Sequence, residues 1–156
     1  MRLYFKQRMF SWFDSYDIYD ENSEVKYVVK GELSWGHKLQ IYNHLDQNIA
    51  TLKEKVMTFL PKFEIYKKDE LVGSINKEFT FLKPQFHIDY NNWHVEGKFL
   101  EWDYQILDKS NQLIASITKE IWHLTDTYVL DIIDDQNALD VLLLVLAIDA
   151  EKCSRN

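Results

Sequence analysis

Through the first 132 residues the apolar side chains recur in short runs with a spacing of two, as in Tyr16 and Ile18, Phe63 and Ile65, Phe86 and Ile88, and Tyr128 and Leu130. That period places both members of a pair on one face of a β-strand. Pro61 and Pro84 stand in the breaks before two of these pairs, where a missing N–H and a fixed φ suit a turn. Residues 43–48 and 108–112 are polar turn stretches rich in Asn, Asp and Gln. The pattern predicts about twelve strands, near 2–12, 14–20, 25–34, 38–43, 48–59, 62–67, 71–82, 85–90, 93–101, 102–108, 112–122 and 127–132. The last segment differs. Residues 136–150 open after Asp134 and Asp135, two candidate helix caps, and from Val141 to Ile148 carry no polar side chain. A helix apolar all round needs burial on every side. Fifteen residues rise only about 22 Å, short of the roughly 30 Å of a bilayer core, so no transmembrane span is expected.

The strand pattern is duplicated. Residues 6–19 align without a gap on residues 53–66, and every pair except Asp14/Pro61 and Ser15/Lys62 is identical or chemically alike. Looser copies begin at Lys77 and Lys119, where the lysine stands nine residues before its aromatic partner instead of ten. Between these copies lies a second unit, opening at Lys30-Gly31-Glu32-Leu33 and again at Glu96-Gly97-Lys98-Phe99. The chain reads as one domain over 1–156, with pseudo-repeats of about 1–70 and 71–132 and a helix at about 136–150. Successive strands joined by tight turns pair antiparallel, and closure removes the exposed edges of such a sheet. A twelve-stranded barrel leaves a lumen, which a helix about 10 Å across can fill. The predicted fold is therefore mainly β: a twelve-stranded antiparallel barrel from an internal duplication, enclosing a C-terminal hydrophobic helix.

Leu3-Tyr4-Phe5-Lys6-Gln7, Phe59-Leu60-Pro61, Lys77-Glu78-Phe79-Thr80-Phe81 and the terminal Leu-Leu-Leu-Val-Leu-Ala-Ile-Asp, set in duplicated halves, resemble the LURP-one-related family. That family is similar in fold to the tubby C-terminal domain and to phospholipid scramblases. The resemblance implies a barrel around a central hydrophobic helix. Tubby domains bind phosphoinositides through basic side chains, so the resemblance also makes a phospholipid headgroup a candidate ligand.

Composition and charge narrow the chemistry. The 156 residues include 23 aromatics against four Gly and two Pro, and the net charge is −7. A disordered chain and a general nucleic-acid binder are both disfavoured. Cys153 is the one cysteine, so no internal disulfide forms, and Arg2, Lys6 and Arg8 interrupt the apolar start. A cytoplasmic protein, peripheral at a membrane if it binds lipid, is expected. The five histidines lack metal-ligand spacing, the four glycines form no phosphate loop, and no serine sits in a nucleophile motif. No catalytic, metal or cofactor site is expected, and a strand face accounts for His87-Ile88-Asp89. Gly31 and Gly97, as repeat partners, suggest a bulge or tight bend. Trp35, Trp93 and Trp102 suit either packing or stacking on a ligand.

The uneven feature is charge. Residues 53–68 hold Lys53, Lys55, Lys62, Lys67 and Lys68 against Glu54 and Glu64, whereas residues 126–140 hold five Asp and no base. Lys6 and Arg8 occupy the repeat positions of Lys53 and Lys55. These seven residues form the candidate anion or lipid-headgroup patch. The functional expectation is a non-catalytic interaction or scaffold module with a protein partner; the alternative is a peripheral phospholipid- or phosphoinositide-binding protein using this patch.

Overall fold

A computed structural model describes residues 1–6, 15–32, 34–80, 83–122 and 125–154. In chain order the strands are β1 (Arg2–Lys6), β2 (Ser15–Asp20), β3 (Val25–Glu32), β4 (Lys38–Asn43), β5 (Asn48–Glu54) and β6 (Lys62–Lys67). The second half continues with β7 (Glu70–Thr80), β8 (Lys83–Ile88), β9 (Trp93–Lys98), β10 (Asp103–Leu107), β11 (Leu113–Trp122) and β12 (Thr125–Ile132). Each strand pairs antiparallel with its sequence neighbours, and β1 pairs with β12, Arg2 opposite Asp131, to close the barrel. Helix α1 (Ala138–Ser154) follows a 3-10 turn at Asp135–Asn137.

Alternation decides what faces the lumen. Val29 lies opposite Ile41, Leu52 opposite Ile65, Ile75 opposite Ile88 and Ile117 opposite Leu130, and all eight side chains are buried. This belt encircles α1, whose residues Val141 to Ile148 are each buried to within 1% of complete exclusion from solvent. Burying each such aliphatic side chain stabilises by about 1.5–3 kcal/mol relative to exposure. The all-apolar stretch thus occupies the lumen that twelve strands create. Among the described residues, no helix is long and apolar enough to cross a membrane.

Because every connection is antiparallel, loops alternate between the two ends of the barrel. The even-to-odd connections are tight polar turns. Asp20, Asn43 and Asp108 each start one, with Oδ1 accepting the backbone N–H groups two and four residues on, and Ser23, Asp46 and Asn111 take positive φ. A short side-chain acceptor followed by a residue tolerant of the left-handed region is what such turns require. The odd-to-even connections include longer loops at 34–37 and 55–61 and a 3-10 turn at Phe99–Glu101. Helix α1 begins at the tight-turn end and finishes at the long-loop end.

Several expected boundaries move. Strand β5 stops at Glu54, not near residue 59, and β9 stops at Lys98, because Trp102 turns the chain with φ 57. Gly97 has φ +116, and a Cβ there would stand 2.8 Å from the Asp103 carbonyl oxygen, which accounts for glycine at this repeat position; Gly31 lies in regular β3–β4 register. Pro84 lies inside β8, opposite Phe79, instead of in the break. It precedes His87, where the β8–β9 ladder begins, so no β9 residue is registered opposite it. The helix runs to Ser154, and Asp134 accepts the Gln136 N–H at its entrance.

Candidate functional site

The nominated lysines do not form one patch. Lys67 and Lys68 lie at the tight-turn end, where Lys67 Nζ stands 2.7 Å from Asp140 Oδ1 of α1. The Tyr90 hydroxyl donates to the same oxygen at 2.6 Å, and burial, followed by this bond, pushes the Tyr90 pKa up. Lys67 is therefore committed to holding the helix entrance. Lys53, Lys55 and Lys62 lie toward the long-loop end. On the outer face, Lys53 is flanked in register by Lys38 of β4 and Glu64 of β6. Lys55 Nζ lies 3.4 Å from Glu64 Oε1, and Lys38 Nζ lies 2.6 Å from Glu32 Oε2. Burial alone would raise the Glu64 pKa, but the Tyr66 hydroxyl and Lys55 bring it below the ordinary carboxylate range. Lys53 and Lys62 make no ion pair among the described residues. Lys6 is the last residue of β1, in register with Thr127, and Arg8 lies outside the described residues.

The loops beyond Lys53 and Lys62, at the same end of the barrel, carry exposed apolar side chains. Trp35 on the 34–37 loop is 88% exposed, and Met57 and Phe59 on the 55–61 loop are 97% and 101% exposed. The two loops are fastened together. Glu54 Oε2 accepts the His37 backbone N–H at 2.8 Å and lies 2.6 Å from His37 Nδ1, while Glu54 N–H donates to the His37 carbonyl. Gly36, with φ +89, lets the loop approach so closely that a Cβ there would lie 2.6 Å from Val56 Cγ1. The Thr58 hydroxyl donates to the Lys55 carbonyl and braces the second loop. Phe79 of β7 and Leu100 of the 3-10 turn continue the exposed apolar rim around the same end. Sequence alternation reads Val56 to Phe59 as the continuation of a strand and so misses these tips; Pro61 is the available stop signal. Of the three tryptophans weighed, Trp93 and Trp102 are buried in the core and Trp35 projects.

The other end differs in kind. The turns at 20–24, 44–47, 68–70, 89–92, 108–112 and 133–137 carry ten carboxylates and two lysines. Leu45 and Ile133 are exposed there, but all three aromatic side chains prominent among the exposed hydrophobics, Trp35, Phe59 and Phe79, lie at the long-loop end.

Inside the long-loop end, a polar cluster surrounds the end of α1. Lys77 of β7 points into the lumen, its Nζ 2.6 Å from Glu151 Oε1. Burial pushes the Asp149 pKa up to about 6 against the opposing pull of Lys152. Burial also raises the Tyr104 pKa well above the phenol range, with Asp149 and Tyr128 adding to the effect. Trp102 stacks on Tyr128 with ring centroids 3.7 Å apart, and Lys152 Nζ donates to the Leu100 carbonyl at 2.6 Å. The Lys77–Glu151 pair, the Trp102–Tyr128 stack and the Lys152 hydrogen bond secure the helix within the barrel. Among the described residues, no group of His, Cys, Asp and Glu is arranged to hold a metal ion.

The fold is shared beyond this chain. Over 150 residues, 96% of this chain and 92% of its relative, the sequence is 29% identical to the uncharacterized protein YxjI of Bacillus subtilis (strain 168). An X-ray structure of an Arabidopsis thaliana protein superposes with a TM-score of 0.61 at 13% identity, covering 95% of this chain and 91% of the other, which establishes a common fold. The LURP-one-related family model matches residues 1–149, and the chain belongs to the LURP-one-related family.

Proposed function

We propose that this chain is a non-catalytic docking module that meets its partner with the long-loop end. The observation that carries the reading is the pairing of a filled lumen with Trp35, Met57 and Phe59 held outward on two fastened loops. A barrel filled by its own helix leaves the outer surface for recognition. Large apolar side chains that stay in water are retained most readily where something covers them. The basic residues take a supporting part, because Lys67 serves the helix and Lys55 and Lys38 are paired with carboxylates.

A photo-crosslinking amino acid placed at position 57 or 59 in cells tests the reading, with position 109 in a tight turn as control. Adducts, of protein or of lipid, from 57 and 59 but not from 109 are expected. Adducts confined to 109, or equal at both ends, contradict it.

A further inference from the structure

We infer that the long-loop end docks on an anionic lipid bilayer by inserting its apolar tips, an inference that rests on the docking reading above and names its partner. Met57 and Phe59 are as exposed as side chains in an extended chain, and Trp35 nearly so. They project from the tips of two loops. A protein partner would need separate pockets for such tips, whereas a bilayer interface accepts them wherever they arrive, and Trp and Phe are suited to that boundary. Lys53 and Lys62 stand at the same end of the barrel without an ion pair among the described residues, positioned for lipid phosphates. Ten carboxylates gather at the opposite end, so an anionic surface repels that end and turns the long-loop end toward itself. The clamp of Glu54 on His37 fixes both loops before contact, which lowers the ordering cost of binding.

The test uses the full chain with vesicles of phosphatidylcholine alone and of phosphatidylcholine with about 30% phosphatidylglycerol, in about 20 mM salt. Co-sedimentation with the anionic vesicles is expected, with much weaker binding to the neutral ones. The triple variant W35S/M57S/F59S should bind about tenfold or more weakly while keeping its thermal transition, because each replaced side chain is exposed. K53E/K62E should weaken binding and flatten its salt dependence. Lipids brominated on their acyl chains should quench tryptophan fluorescence in the wild type and much less in W35F. No sedimentation with anionic vesicles, or binding undiminished in the triple variant, overturns the inference. Competition by soluble inositol phosphates, with no quenching by brominated lipid, also overturns it, since that result describes a headgroup pocket. Protein adducts at position 57 together with absent vesicle binding would overturn the bilayer and leave the docking reading standing.

Discussion

Lys77 Nζ lies 2.6 Å from Glu151 Oε1 with both side chains almost wholly buried, 1% and 2% exposed, and this pair ties β7 to the end of the central helix. Lys77 Nζ also lies 5.6 Å from the centre of the Phe86 ring, so the charge is held against an aromatic face as well as a carboxylate. Removing one partner strands the other charge in a medium that solvates it poorly. Lys77→Met or Glu151→Leu alone should therefore destabilise by about 3–5 kcal/mol, whereas the double variant should recover much of the loss. Denaturant unfolding of the four proteins measures this. A double variant as unstable as the sum of the singles would show that packing, not charge, dominates.

Asp149 carries the opposite signature. Burial raises its pKa from 3.8 to about 6, so the folded state holds a proton that the unfolded state gives up. Its contribution is most favourable below about pH 4 and is lost as the pH rises to about 6, beyond which it is constant. Asp149→Asn should stabilise the protein at pH 7 by about 2–3 kcal/mol and have almost no effect near pH 4. Thermal melts of variant and wild type across that range read the difference directly. A constant difference would mean that Asp149 is not the titrating group.

Midway along the helix a charge would be buried among apolar side chains. Leu143 and Leu144 are fully buried, one beside the other in a lumen lined by Ile and Leu. Leu143→Asp or Leu144→Asp should abolish the cooperative unfolding transition, because the cost of an unpaired carboxylate approaches the total of about 5–15 kcal/mol that a domain has. Truncation after Asp134 should do the same. A β-rich variant melting like the wild type would place the helix outside the barrel.

Gly36 offers a gentler perturbation at the docking end. Its φ of +89 and the mere 2.6 Å that would separate a Cβ from Val56 Cγ1 both oppose a side chain. Gly36→Ala should cost about 1–2 kcal/mol of stability and displace Trp35, reducing vesicle binding more than a change of equal stability cost at Gly97. Paired stability and sedimentation measurements separate the two effects.

Much of this architecture was legible in the sequence because strand period, duplication and an unbroken apolar helix all point one way. Leu52 opposite Ile65 and Ile117 opposite Leu130 are the repeat pairs that alternation marks. The orientation of Lys77 was harder to read. Aligning it with Lys53 would turn it outward, yet the register sets Lys77 opposite Phe86 as Glu54 is set opposite Phe63. The spacing of nine residues instead of ten was the visible sign, because a slip of one residue moves a side chain to the other face of a strand. The apolar tips were illegible for a different reason. Val56, Met57 and Phe59 follow Lys53-Glu54-Lys55 as further apolar residues of the expected strand 48–59, and hydrophobicity alone does not distinguish a buried strand from a loop that projects. Lys67 groups with Lys53 by proximity in sequence, but β6 carries them to opposite ends of the barrel.

The most direct measurement is amide hydrogen exchange on the full chain with and without vesicles containing about 30% phosphatidylglycerol. Docking by the long-loop end predicts added protection at residues 34–37 and 55–61 and none at the turns 20–24, 44–47 and 108–112. Protection at those acidic turns, or exchange unchanged at both ends while the protein sediments with the vesicles, would contradict the account.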